Sequence, residues 1–176
     1  MQGKIYEYLK MIRFSHTLFA LPFAYSGVIL AGEYADITFW KVFWITAAMV
    51  GIRSAAMGFN RLVDKGLDAE NPRTVGRALP QGRITTKAVT VFIILSLMLF
   101  FTSAFMLNLL AFLLSPVAAF VAIFYSYAKR FTVLTHFILG AVLGIAPTGA
   151  WIGITGSFHY VPLVLSFAVL FWTAGF

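Results

Sequence analysis

"AVTVFIILSLMLFFTSAFMLNLLAFLLSPVAAFVAIFYSYA", Ala88 to Ala128, contains no Asp, Glu, Lys or Arg. As a helix rising about 1.5 Å per residue it would be around 60 Å long, whereas about 20 apolar residues cross the roughly 30 Å of bilayer hydrocarbon. The run therefore reads as two crossings, with the turn most naturally near Asn108. This predicts spans at about Ala88–Leu107 and Leu109–Ala128.

The rest of the chain repeats the pattern. Phe14 to Gly32 is free of charge and makes a first span, with Pro22 inside it. Such a proline is tolerable in lipid when neighbouring groups satisfy the freed carbonyl. Phe39 to about Phe59 makes a second span, interrupted by Arg53. Beyond Lys129–Arg130, another charge-free run reaches Phe176 and breaks at "GITGSFHY", Gly153 to Tyr160. This predicts a fifth span at about Thr132–Ile154 and a sixth from Tyr160. The first apolar run is too long for a signal-peptide core and is followed by further spans, so it reads as a true helix.

Composition agrees. Of 176 residues, 61% are hydrophobic and 11% charged, against about 25% charged in soluble domains. There is no cysteine, which excludes disulfides and thiolate metal sites. The net charge of +7 is explained by topology, with no nucleic-acid partner implied. With six spans, Lys4, Lys10, Arg13, Arg61, Lys65, Arg73, Arg77, Arg83, Lys87, Lys129 and Arg130 fall on one side, eleven of the thirteen bases. Lys41 falls on the other side, near Glu33 and Asp36. The positive-inside rule makes the basic side cytoplasmic. The expected fold is an all-α polytopic transmembrane helix bundle in the cytoplasmic (inner) membrane, one domain over residues 1–176. Its N-terminus and a polar loop at 60–87 would face the cytoplasm.

That polar segment contains "GFNRLVDKGLDAENPRT", Gly58 to Thr74, with three of the six carboxylates, Asp64, Asp68 and Glu70. Asn60, Asp64 and Asp68 stand four apart and share one face of a helix. No breaker precedes Pro72, so the second span is expected to continue through this ladder and stop near Glu70–Asn71. Two carboxylates and a carboxamide oxygen suit Mg²⁺, which usually completes its shell with water or phosphate oxygens. Arg61, Lys65, Arg73, Arg77 and Arg83, with Lys129 and Arg130 from another loop, supply bases for phosphate. Together they describe a metal–diphosphate site. A P-loop is absent from the sequence. The plainer alternative is a solvated loop in which Asp64 and Asp68 pair with Arg61 or Lys65 at helical spacing.

Arg53 lies seven residues before Asn60, on the same face. A base within a span is a functional candidate by default, and snorkelling to the interface is its alternative. His16, His136 and His159 are scattered without metal-ligand spacing and read as packing or interface residues.

"NRLVDKGLDAENPRTVGRALPQG", Asn60 to Gly82, strongly resembles the first aspartate-rich motif of the UbiA superfamily of intramembrane prenyltransferases. It fits Asn-x-x-x-Asp-x-x-x-Asp, then Asn-Pro-Arg-Thr and Arg-x-Leu-Pro-x-Gly. "RSAAMGFN" before it, "YSYAKRFTVLTHFILG" from Tyr125 and "YLKMIRFSHTLFALPFA" from Tyr8 are also similar to that family. The 4-hydroxybenzoate polyprenyltransferase branch is the nearest, including versions used for menaquinone precursors.

The resemblance implies transfer of a polyprenyl group from polyprenyl diphosphate to an aromatic acid acceptor within the bilayer, in ubiquinone or menaquinone biosynthesis. It makes Mg²⁺ the cofactor. It implies Asn60, Asp64 and Asp68 as metal ligands, with Asp64 and Asp68 the catalytic pair. It puts Lys129 on phosphate and Tyr125 or Ser126 near the acceptor; an aromatic belt and a positive flank explain the same residues otherwise. Arg13 would hold an acceptor carboxylate or a phosphate, or is a topology charge. The family has about nine helices and a second aspartate cluster near the end of the sixth. With no acid after Glu70, this chain is expected to be the N-terminal portion of a longer enzyme, with six spans, and inactive alone. The competing readings are a transporter or a lipid-binding membrane subunit, or another branch of the family that prenylates naphthoate, haem or chlorophyll.

Overall fold

The computed structural model describes residues 2–128, 131–132 and 134–175. Its element order is α1 (Gln2–Met11), α2 (Phe14–Ala31), α3 (Phe39–Val63), α4 (Lys65–Glu70), α5 (Thr86–Leu107), α6 (Leu109–Ala128), α7 (Thr135–Thr155) and α8 (Tyr160–Ala174). Among the described residues four helices, α3, α5, α6 and α7, are long and apolar enough to cross a membrane. The apolar parts of the other two expected spans, Thr17–Ala31 and Tyr160–Ala174, are shorter.

Local chemistry sets the helix ends. The Thr38 hydroxyl accepts from the Lys41 N–H at 3.3 Å, and Thr85 does the same for Ala88 at 3.2 Å. Both supply the side-chain acceptor that an N-terminal turn lacks. Gly156 closes α7 at φ 69°, a left-handed conformation that costs glycine nothing, and its N–H reaches the Ile152 carbonyl at 2.8 Å. Asn108 is extended and separates α5 from α6, at the predicted turn. Its Nδ2 donates to the carbonyls of Ile152 (2.7 Å) and Gly153 (3.2 Å), and its Oδ1 accepts from the Ala111 N–H. One side chain thus satisfies the end of α7 and the start of α6.

Helices pack α3 on α5, α7 on α8 and α2 on α7. With lipid outside, contact must come from close surface fit and polar bonds. Gly140 and Gly144 lie against the backbone of α8 at Leu170 and Ser166. The Thr148 and Ser166 hydroxyls share a 2.6 Å hydrogen bond across the same seam, and Tyr25 bonds Thr46 at 2.8 Å between α2 and α3. Large side chains such as Ile29, Phe39, Phe120 and Phe171 point outward, as lipid-facing residues should.

Two cores mark the ends of the bundle. At one end Ala24, Val28, Ile45 and Trp151 pack together. There Lys41 Nζ donates to the carbonyls of Asp36 (3.0 Å) and Ile154 (2.9 Å). His159 stacks on Trp151 with ring centroids 5.2 Å apart and meets Tyr34 at 5.0 Å, the packing role expected of it. His136 is exposed, and the side chain of His16 is outside the described residues. At the other end Met11, Ile12, Ala78, Leu79 and Ile84 join Ala55, Val89 and Ile93. α1 is folded onto that end by this cluster, by Tyr8 against Phe92 and by a 3.0 Å ion pair from Glu7 to Arg83.

The segment 60–87 differs from the expected loop and from an unbroken helix. Asn60–Val63 belongs to α3, Asp64 interrupts the helix at φ −83° and ψ 0°, and α4 carries Lys65–Glu70. The hydrogen-bond ladder survives the interruption: the Asp64 N–H reaches the Asn60 carbonyl at 3.0 Å, and the Asp68 N–H reaches Asp64 at 2.8 Å. The turn at Asp64 separates α4 from α3 without breaking the four-residue hydrogen-bond spacing. Asn71 is extended ahead of Pro72, where the proline forbids helix.

Candidate functional site

Between the helices lies a cavity of about 890 Å³. Its α3 wall is built by Ile45, Ala48, Met49, Ile52, Arg53, Ala56, Met57, Asn60 and Arg61. That recurrence every three or four residues is one helix face, and from Ile45 to Arg61 it extends about 24 Å at about 1.5 Å per residue. Small residues of α6 and α7, including Ala118, Ala122, Gly149 and Ala150, leave the space; Phe19, Phe100, Phe158 and Phe167 add aromatic walls.

Polar groups concentrate at the end where α1 folds over. Arg13, Arg53, Asn60, Arg61, Arg77 and Tyr125 line the cavity there. Arg13 joins α1 to α2 at φ 49° and ψ 61°, a left-handed backbone costing a non-glycine residue roughly 1–2 kcal/mol. The Arg61 Nε donates to the Met11 carbonyl at 3.4 Å, bringing the Arg13 turn beside α3. Phe59 and Tyr127 meet with centroids 5.7 Å apart and join the end of α6 to the end of α3.

Asp64 and Asp68 are buried, 7% and 6% exposed, and are not among the residues that line the cavity. Both act electrostatically on Arg61, and Asp64 also on Tyr125. Asp68 is held by Arg77, nine residues on: Nη1 lies 2.6 Å from both carboxylate oxygens. The plainer alternative paired Asp68 with a base at helical spacing; its partner is instead a base from the turn after Pro72. Thr74 fixes that turn, its hydroxyl donating to the Asp68 carbonyl at 3.1 Å.

The structure does not gather every candidate. Lys65 is exposed and its Nζ donates to Thr86 at 3.1 Å, away from the cavity, because residue 65 begins α4 beyond the turn at Asp64. Arg73 is exposed and outside the lining, its backbone N–H donating to Asn71 Oδ1 at 2.9 Å. Ser126 is 1% exposed and faces neighbouring helices, one position round from Tyr125. Lys129 lies outside the described residues. The Glu7–Arg83 clamp was not foreseen. Glu7 is the one acid before the first span, which flags it as paired, but its partner is distant in sequence.

Mg²⁺ fits this donor set. Two buried carboxylates and a carboxamide on successive turns are hard oxygen donors too few for a closed protein cage. Mg²⁺ is bound in that way, keeping water or phosphate oxygens in its shell.

The model of the UbiA prenyltransferase family matches residues 20–176. The chain belongs to this family. Among its relatives is the 4-hydroxybenzoate octaprenyltransferase of Actinobacillus pleuropneumoniae serotype 5b (strain L20), 30% identical over 179 residues, covering 99% of this chain and 60% of the relative. The apo UbiA homologue from Aeropyrum pernix K1 superposes with a TM-score of 0.83 at 35% identity, covering 92% of this chain and 61% of that one. A UbiA homologue from Archaeoglobus fulgidus, solved with DMAPP and Mg²⁺, shares the fold at TM-score 0.73 and 21% identity, covering 96% and 60%. The chain spans about 60% of the length of the curated relative and of both structures. Its UbiA-like architecture is thus that of an integral membrane prenyltransferase family.

Proposed function

We propose that the protein to which this UbiA-family chain belongs transfers a polyprenyl group from polyprenyl diphosphate to an aromatic acid such as 4-hydroxybenzoate, with Mg²⁺, in quinone biosynthesis. The observation that carries this is one cavity with arginines and Asn60 toward its mouth and, beneath Arg53, an apolar α3 wall running from Ile52 back to Ile45, about 10 Å. The mouth suits a diphosphate, and the shaft suits the tail attached to it. The name of the Actinobacillus relative supplies the acceptor class, and the Archaeoglobus homologue's DMAPP and Mg²⁺ supply the donor class and ion.

In this reading Asn60, Asp64 and Asp68 would hold Mg²⁺, which when bound would supply positive charge against the diphosphate. Arg53, Arg61 and Arg77 place the diphosphate oxygens at the mouth and stabilise the negative charge that grows there. The allylic C–O bond breaks, and its electron pair leaves with the diphosphate. A ring carbon of the acceptor then bonds to the allylic carbon, and the ring proton is released. Arg13 orients the acceptor carboxylate by a charge-assisted bond, and Tyr125 flanks the ring. The apolar walls keep water from the cation. The N-terminus and the aspartate segment face the cytoplasm across the inner membrane.

The test uses the complete protein in detergent with a prenyl diphosphate, 4-hydroxybenzoate and Mg²⁺. Asp64→Asn and Asp68→Asn should each lower turnover by about 10² or more while membrane insertion is kept. Retained turnover in the purified double variant would refute the reading.

A further inference from the structure

The relation between Arg77 and Asp68 has a geometry of its own. A single nitrogen, Nη1, stands 2.6 Å from both Oδ1 and Oδ2. It therefore occupies the bisector of the carboxylate, the place a cation chelated by both oxygens would take. A cation held by Asp68 would need the oxygens that Nη1 now occupies, so ion and guanidinium compete for one carboxylate. The Asp68 side chain is 9% exposed and that of Arg77 is 28% exposed, so Arg77 has open space to move into. That space is the cavity, which it also lines.

The local charge is the second observation. Arg13, Arg53, Arg61 and Arg77 line the cavity, and Arg61 feels Arg77 and Arg13 as well as Asp68 and Asp64. Around Arg61 three guanidinium groups, its own included, stand with two carboxylates before any metal arrives. A free divalent cation would add two positive charges and expel a third from its partner. A diphosphate arriving with the ion reverses both effects: it supplies negative charge and offers the displaced guanidinium a new acceptor of the kind arginine binds best.

We infer that Arg77 holds the place of the metal, closing Asp68 to a free divalent ion and releasing it only when metal and diphosphate arrive together. The inference rests on the reading of Asn60, Asp64 and Asp68 as the metal ligands. Backbone bonds hold the turn while the side chain swings: the Arg77 N–H donates to the Thr74 carbonyl at 3.0 Å, and its own carbonyl accepts from the Gln81 N–H at 3.1 Å. Arg77 is then a positioning residue in the empty site and a diphosphate ligand in the loaded one.

The test is binding, without turnover. Mn²⁺ is titrated by its paramagnetic resonance signal into the full chain in detergent, alone and with saturating inorganic pyrophosphate. The parent should bind Mn²⁺ at least about tenfold more tightly when pyrophosphate is present, within the range of ordinary coupling between sites. Arg77→Gln should tighten binding of Mn²⁺ alone by about tenfold and remove most of the pyrophosphate effect. Arg77→Lys, which keeps a cation beside Asp68, should restore much of the parent's coupling. Melting curves of each variant check that the fold persists. If Asp68→Asn weakens Mn²⁺ binding while Arg77→Gln leaves it unchanged or weaker, the place-holding role is overturned and the metal site stands. If Mn²⁺ binding ignores both Asp64→Asn and Asp68→Asn, the metal site itself fails, and the role of Arg77 fails with it.

Discussion

Gly140 of α7 faces the main chain of Leu170 in α8 so closely that a Cβ at Gly140 would lie 2.5 Å from the Leu170 carbonyl oxygen. Backbone cannot step aside as a side-chain tip can. Gly140→Val should therefore prise α7 from α8 and lower stability by about 1–3 kcal/mol, the usual cost of overpacking. Gly149, with nothing within 4 Å of its Cβ direction, is the control. Gly149→Ala should melt at or slightly above the parent temperature, since alanine is the better helix former. Equal melting of the two variants in detergent would contradict the seam.

Arg13 carries a left-handed backbone at the cavity mouth. Asparagine tolerates that conformation but lacks the charge. Arg13→Asn should leave the melting temperature unchanged or raise it, and should raise the acceptor KM by about 10-fold or more, as loss of a charged hydrogen bond of about 1.5–3 kcal/mol requires. With kcat little changed, that split would assign Arg13 to acceptor binding. An unchanged KM would remove it from that role.

α1 is held by an ion pair and by buried apolar side chains, and these differ in weight. The Arg83 side chain is 44% exposed, and such pairs contribute roughly 0–1 kcal/mol. Met11 is 6% exposed within the α1 cluster, and emptying such a position costs about 2–5 kcal/mol. Thermal unfolding should therefore respond weakly to Glu7→Gln and strongly to Met11→Ala. The reverse order would mean that the clamp is electrostatic.

The chain has no cysteine, so single cysteines report topology directly. Gly76 and Ser157 are both exposed. Gly76 follows the aspartate segment, and Ser157 follows α7 near Lys41 and Trp151. A membrane-impermeant maleimide added to intact cells should label Ser157→Cys and spare Gly76→Cys until the membrane is opened. Labelling of Gly76→Cys in intact cells would invert the proposed orientation.

Much of the fold was legible in the sequence because lipid enforces a simple rule. A backbone in hydrocarbon must satisfy its own hydrogen bonds, so each charge-free run of sufficient length becomes a helix. The α5–α6 boundary at Asn108, the α2 start at Phe14 and the α8 start at Tyr160 follow from that rule. α1 was missed as a separate helix because its ten residues are too short and too mixed to signal a span. Its burial depends on Ala78, Leu79 and Ile84, far along the chain.

The candidate site divides in the same way. The four-residue spacing of Asn60, Asp64 and Asp68, and the alignment of Arg53 with Asn60, were fixed by helix periodicity in the sequence alone. The partner of Asp68 was not, because Arg77 reaches it only after the chain turns at Asn71–Pro72 and folds back. Nor could charge alone tell that Arg61 and Arg77 would line the cavity while Lys65 and Arg73 would not. Sequence determined which residues are apolar, which are charged and how they repeat, since these are local properties. Which of two neighbouring bases meets a carboxylate depends on how the chain turns after Asn71 and on where α1 packs, and those are settled only when distant surfaces close on one another.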